Sequence, residues 1–301
     1  MTVLILGATG FIGRHIVRAL EAAGHEVVAA SRRVGLDRRD IGTIRACIRE
    51  KRVTAVIDLL AYTEADTLPL LESPCDDVER WVMASSCDVY RNYEGLHRKS
   101  SPEPITLLGE DAPLRATRYP YRTDPPRPPA HADAWMDAYD KIPLETALRK
   151  RPGHVILRLP MIFGPGDRQR RFRWLLGPML ASHERLTVDP TWAAWRASYG
   201  YVEDVADAIA TATTHPGCGG RTFNIGGMET PDHRGWIDRF AERLDWRGAV
   251  VETPSRGPLA ALDLSYPLVL DTRAFRECCA WKEPTPLATA LERTIADERD
   301  R

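Results

Sequence analysis

Through the first half of the chain, short aliphatic runs alternate with longer stretches in which apolar residues recur at helical spacing. The runs cover residues 3–6, 27–30, 55–60, 81–84 and 155–159, each of strand length and too uniformly apolar for a sheet with one wet face. Between them, Ile16, Val17 and Leu20 form one helical face, and Asp40 can cap a helix that carries Ile44 and Ile48. Strands spaced by helices predict βαβ crossovers, so the fold class is α/β with a doubly wound parallel sheet covered on both faces.

Two stretches depart from this rhythm. Residues 100–132 are dense in proline, with Pro125-Pro126 and Pro128-Pro129 near the end, which excludes a single regular element. They are expected to form a long ordered loop or lid over the site, with disorder as the competing expectation. After about residue 165 the chain turns to arginine-rich and tryptophan-rich helices with short strands, the pattern of a smaller unit capping an open sheet. Within it, Arg221 to Gly227 reads as a late strand returning to the main sheet.

Composition narrows the function classes. The 301 residues carry 41 basic and 42 acidic side chains, a formal net charge of −1, so no bulk field gathers nucleic acid or an anionic membrane and neither is expected as a partner. Any anion site must be local. The six cysteines include no CxxC pair, which suggests no metal centre and no disulfide framework. Residues 1–6 show no basic leader, and no apolar run reaches spanning length, so a cytoplasmic location is expected.

Chemistry enters at Gly7-Ala8-Thr9-Gly10-Phe11-Ile12-Gly13, which lies between the first predicted strand and the first predicted helix. Glycines there let the backbone approach a pyrophosphate, and the helix N-terminus offers free N–H groups and a positive dipole end. This G-x-x-G-x-x-G spacing resembles the short-chain dehydrogenase/reductase superfamily, in particular its extended, epimerase/dehydratase-like branch. Further segments match in order: Val56 to Ala61, Ser85-Ser86-Cys87-Asp88-Val89-Tyr90, Leu157-Arg158 through Gly164-Pro165, Tyr201-Val202-Glu203-Asp204-Val205, and Phe223-Asn224-Ile225-Gly226. The resemblance covers most of residues 1–230. It implies a Rossmann-like sheet over residues 1–164 that binds the dinucleotide, with returning segments about 197–227, and a substrate-binding cap from 165–196 and 228–301.

The same resemblance assigns cofactor contacts to Gly7, Thr9, Gly10, Phe11, Ile12, Gly13, Asp37, Leu59, Leu60, Ala61, Lys141, Pro160 and Met161. The second strand ends in Ser31-Arg32-Arg33 with no carboxylate. Cations there suit a 2′-phosphate, which predicts NADP with NAD less favoured.

For catalysis the resemblance implies a Ser-Tyr-Lys set, and Ser86 and Lys141 match it. The tyrosine expected four residues before the lysine is missing: Asp137 stands there, and Tyr139 is only two residues away. An unbroken helix would put Asp137 beside Lys141, but Pro143 forces a kink or a helix start nearby. Tyr139 is therefore expected as the acid/base, with Lys141 lowering its pKa and Ser86 holding the substrate oxygen; Tyr90, Tyr119 and Tyr121 stay in reserve. Substrate contacts are expected from Ser86, Asp88, Arg196, and from Arg168 with Arg171 on one face of a helix, while Trp192 and Trp195 suit a core better than a cage. The function read from these residues is reduction, epimerisation or dehydration at a hydroxyl or carbonyl of a sugar-like or polyol-like small molecule. The competing expectation is a regulator or scaffold that keeps the dinucleotide site without the chemistry. A homodimer stays open.

Overall fold

Each aliphatic run of the first half becomes a strand of one parallel sheet. The computed structural model describes residues 1–73, 75, 77–98, 102–254 and 261–301. Its base alternates strand and helix: β1 (Thr2–Leu6), α1 (Gly13–Ala22), β2 (Glu26–Ala30), α2 (Ile41–Glu50), β3 (Ala55–Asp58), α3 (Glu64–Leu71) and β4 (Arg80–Ser86). A short α4 (Arg91–Leu96), α5 (Lys141–Leu148) and β5 (His154–Leu159) follow. The sheet order is β2-β1-β3-β4-β5, closed at the far edge by β9 (Arg221–Asn224), which pairs with β5. All pairings in it are parallel.

Strand periodicity splits β1 between two layers. Val3 and Ile5 join a cluster with Ile16 and Leu20 of α1, whereas Leu4 and Leu6 join Ile44, Ile48, Leu70 and Leu144 on the other face. Each such fully buried aliphatic side chain contributes about 2 kcal/mol. Because β2 and β3 leave β1 in opposite directions, a crevice opens beyond the carboxyl end of β1.

The cap holds β6 (Met161–Phe163), α6 (Arg173–Leu180), β7 (Arg185–Val188), α7 (Pro190–Ala193) and β8 (Tyr199–Tyr201) before the long α8 (Val202–Thr214) returns to pack on α1. After β9 come α9 (His233–Leu244), β10 (Ala249–Glu252), α10 (Arg273–Cys279) and α11 (Leu287–Arg299). Of the returning stretch, β8 pairs with β6 and β9 joins the main sheet. Phe163, Phe172, Tyr199, Trp236 and Phe240 form the cap's aromatic core. Trp192 and Trp195 stack with centroids 5.2 Å apart against His233, and Trp195 Nε1 donates to the Tyr266 carbonyl, so both serve packing. Among the described residues no helix is long and apolar enough to cross a membrane.

Ser100 and Ser101, the start of the proline-rich segment, lie outside the described residues. The rest of the segment is ordered irregular chain tied down by polar contacts, not a disordered stretch. Glu94 accepts from the Ala116 and Thr117 amides, and Arg115 donates to the Asp88 carbonyl and to Asp140. Arg127 and the Thr123 amide bind Asp137.

Candidate active site

The predicted cofactor residues all fall where the parallel strands end. After β1 the chain turns at Gly7, whose φ of +95° lies in the region that favours glycine. A Cβ on Gly13 would stand 2.2 Å from the Gly7 carbonyl oxygen, and one on Gly7 would press on Leu60 Cγ at 3.1 Å. The loop is thus a cradle that side chains would fill, and α1 begins at Gly13 behind Ile12, which offers no side-chain cap to its first amides. These features fit a bound pyrophosphate. Thr9 and Gly10 are exposed, Phe11 and Ile12 half-buried, and the loop after β3 lies against Gly7 through Leu59 and Leu60. Pro160 is buried and Met161 half-buried just beyond β5.

At the end of β2 the Ser31 Oγ is buried without a partner, while Arg32 and Arg33 are exposed on a short 3₁₀ turn and make no ion pair among the described residues. Asp37 is half-buried and accepts from the Arg39 amide. Its neighbour Arg38, which sequence reasoning passed over, is buried in an ion pair with Asp58 at the end of β3 and also donates to the Asp66 carbonyl. The signal was Asp58 itself, a lone acid closing an otherwise apolar strand.

Around β4 and α5 the chain brings Ser86, Asp88, Tyr139 and Lys141 together. Residues 134–138 form a 3₁₀ turn, Tyr139 is extended (φ −67°, ψ 126°), Asp140 caps α5, and Lys141 is its first residue. Tyr139 forms an antiparallel bridge with Thr63, and the Asp140 amide donates to the Tyr62 carbonyl. In extended chain, residues two apart point to the same side, so Tyr139 and Lys141 share a face and the ammonium lies 5.6 Å from the Tyr139 ring centroid. Asp137 faces elsewhere, onto the loop at Thr123 and Arg127. Lys141 Nζ donates to the Ala61 and Ala84 carbonyls at 2.5 and 2.8 Å, and burial lowers its pKa to about 8 against the opposing pull of Asp88 and Asp58.

The Tyr139 hydroxyl donates to Asp88 Oδ2 at 2.9 Å, and the Tyr121 hydroxyl reaches the same oxygen at 3.0 Å. Burial, then the Asp88 charge, pushes the Tyr139 phenol well above its ordinary range. The expected lowering by Lys141 is therefore corrected: with its hydroxyl on a buried carboxylate, the phenol is stabilised as a donor. Burial also raises the Asp88 carboxyl, whose Oδ1 has no partner among the described residues, and the Cys87 thiol beside it rises to about 12. Of the reserve tyrosines, Tyr90 is pinned between Arg158 and Asn224, and Tyr119 lies under the Arg122 guanidinium in the proline-rich segment.

Residues 3–123 match the NAD dependent epimerase/dehydratase family. The chain is 35% identical to 2′-dehydrokanamycin reductase of Streptomyces kanamyceticus over 98 residues, 29% of this chain and 28% of that one. It is 28% identical to a probable dTDP-4,6-dihydroxy-2-methyloxan-3-one 4-ketoreductase of Streptomyces antibioticus over 72% of this chain and 68% of the relative. The fold matches UDP-glucose 4-epimerase of Thermotoga maritima, solved with UDP-glucose, at a TM-score of 0.69 with 18% identity, covering 100% of this chain and 99% of that one. It likewise matches the Thermus thermophilus UDP-glucose 4-epimerase complex with NAD at 0.66 and 24%, covering 99% of each. The family match to the first part of the chain and these neighbours give it the Rossmann-like fold of the epimerases and dehydratases. Its relatives are oxidoreductases, epimerases and dehydratases.

The arginine cluster departs from expectation. Residues 167–172 are not helical. Asp167 Oδ1 accepts from the Gln169 amide and Oδ2 from the Arg171 amide, and Arg170 has φ +45°, so α6 begins only at Arg173. Arg168 is exposed, whereas Arg171 donates to the Ile162 carbonyl and to Asp167. They share no helix face. Arg170 and Arg173 pair with Glu298 at an open basin of about 1010 Å³. Arg196 is exposed and donates to Thr230.

Proposed function

We propose that the protein is an NADP-preferring oxidoreductase or epimerase/dehydratase acting on a hydroxyl or carbonyl carbon of a sugar-like small molecule. The observation that carries this reading is the meeting of Ser86, Tyr139 and Lys141 in one buried site despite the two-residue spacing. It favours the enzyme over a regulator that has lost its chemistry. The substrates named for the relatives, a dehydrokanamycin and a dTDP-linked keto sugar, support a carbonyl on a sugar ring.

The dinucleotide, when bound, supplies or accepts hydride at the reacting carbon. Tyr139 gives its proton to the developing alkoxide, and the phenolate left beside the Asp88 carboxylate, a strongly unfavourable neighbour, regains a proton from solvent. Lys141 holds a cation beneath the site, and Ser86 positions the substrate oxygen. Arg32, with Ser31 and Arg33, supports the NADP preference, since unpaired guanidinium groups meet a dianion and no carboxylate competes. Arg196 and Asp88 are the proposed substrate contacts; Arg168 and Arg171 have lost the geometry on which theirs rested.

The test is turnover of 4-keto dTDP- and UDP-sugars with NADPH and with NADH. Tyr139→Phe is expected to lose about 10²- to 10⁴-fold in kcat, while Asp137→Asn keeps most of it. Arg32→Ala is expected to raise the KM for NADPH and leave that for NADH unchanged. Normal turnover by the phenylalanine variant, or equal use of both cofactors by the parent, overturns the corresponding half of the proposal.

A further inference from the structure

Cysteine spacing gave no reason to expect a metal centre, yet four ligand groups from two distant parts of the chain converge at one edge of the sheet. His215 and Cys218 flank the turn between α8 and β9, and Cys278 and Cys279 end α10. One ligand atom from each lies within 4.8 Å of every other. The Cys218 and Cys279 sulfurs are 3.3 Å apart, and Cys278 Sγ touches the Gly217 carbonyl at 3.5 Å.

We propose that His215, Cys218, Cys278 and Cys279 form a closed tetrahedral site for a thiophilic divalent cation, Zn²⁺ by preference. Three sulfurs and one imidazole are a donor set of structural zinc sites, and Zn–S bonds of about 2.3 Å place tetrahedral sulfurs about 3.8 Å apart. The observed spread brackets that value, so side-chain rotations suffice to close the site. Four protein ligands leave no open position, as in a structural centre.

The surroundings favour the charge that results. Three thiolates, an imidazole and Zn²⁺ sum to −1. Arg80, at the start of β4, donates to the His215 carbonyl at 3.4 Å, and its Nη1 is buried with no partner among the described residues. A guanidinium next to the cluster compensates that charge and orients the ligand loop. The place is informative too. Cys218 precedes the first residue of β9, so the cluster sits at the amino end of a parallel strand, away from the carboxyl ends that carry the cofactor residues. The metal would clip the edge strand to α10.

The protein is purified under reducing, metal-depleted conditions and titrated with Co²⁺ and then Zn²⁺ alone. Expected are one equivalent bound per chain, a visible absorption spectrum of tetrahedral thiolate-rich Co²⁺ that Zn²⁺ erases, and a higher Tm with Zn²⁺ than with chelator. Cys278→Ser and His215→Gln, both at partly exposed positions, should each weaken Zn²⁺ binding by more than the ~100-fold that an outer partner alone can be worth. Cys47→Ser, remote from the cluster, should bind as the parent does. Failure of the parent to bind one equivalent, unchanged affinity in both ligand variants, or a Cys218–Cys279 disulfide in metal-free protein as isolated each overturns the proposal. Activity is not a readout here, so a wrong reading of the active site would leave this result intact.

Discussion

Lys141 shows how a residue can stand out in the sequence while its setting stays hidden there. Its place in K-x-x-x-E was plain, and Pro143 warned that the helix arithmetic pairing it with Asp137 would fail. What could not be seen was that residues 139–140 run extended beside Thr63, which turns a two-residue spacing into a shared face. Nor was it visible that Tyr139 would meet a buried carboxylate, because Asp88 looked like a substrate contact and its burial depends on the fold. Lys141 itself carries a measurable signature. With its pKa lowered from 10.5 to about 8 by burial, the unfolded chain binds more protons at this site than the fold does between those limits. Stability should therefore rise with pH across that window, by at most about 1.4 kcal/mol per unit from this group. Buried cysteines and tyrosines oppose the trend at its alkaline end, so the quantity to measure is the difference between the parent and Lys141→Met in urea unfolding from pH 7.5 to 9.5. The parent should gain on the variant as pH rises; a flat difference would mean that the ammonium is not desolvated.

At the level of elements, the proline-rich segment is held by charge instead of by regular hydrogen bonding. Asp140 is the anchor: it caps α5, and it receives Arg115 at 2.5 Å, Arg118 at 2.5 Å and the Tyr119 amide at 3.2 Å. The two arginines differ in setting. Arg115 is buried and also donates to the Asp88 carbonyl, whereas Arg118 is about half exposed. Removing a partner from a buried pair costs about 3–5 kcal/mol, against about 1 kcal/mol or less for a solvated one. Arg115→Ala is therefore expected to destabilise the protein by about 3 kcal/mol and to release the segment to proteolysis, while Arg118→Ala does neither. Equal effects in chemical unfolding and limited digestion would show that the segment is held by its apolar residues instead. Prolines announced that the stretch was irregular; its order rests on single arginines whose main partners lie from 10 to 27 residues away, which no local pattern encodes.

Across the whole molecule, four of the segments that carried the family resemblance turn out to meet in one buried network. Glu145 of α5 accepts from Ser85 of β4 at 2.6 Å and takes both Nε and Nη2 of Arg158 of β5 at 3.0 and 2.8 Å. Arg158 also donates to the Tyr90 hydroxyl and the Glu110 carbonyl, Tyr90 donates to Asn224 of β9, and Asn224 reaches the Leu108 carbonyl. The S-S-x-x-V-Y, K-x-x-x-E, L-R and F-N-I-G stretches were thus legible as motifs, but several of their most recognisable residues join the strands to the proline-rich segment, apart from Ser86 and Lys141, which are proposed for the chemistry. Burial alone would push the Glu145 carboxyl up, and its bonds to Arg158 and Ser85 reverse this, so it is held ionised below its ordinary range. Glu145→Gln leaves a buried guanidinium without its counter-charge, with an expected loss of about 3–5 kcal/mol in unfolding free energy. Because Lys141 stands one helical turn before Glu145 on α5, the same substitution should also lower kcat in the folded protein, whereas loosening the cap at a distance should not. Replacing Glu145 and Arg158 together by methionine removes both charges and is expected to recover part of the stability but not the turnover. A Glu145→Gln protein as stable as the parent would show that the network follows the fold without holding it together.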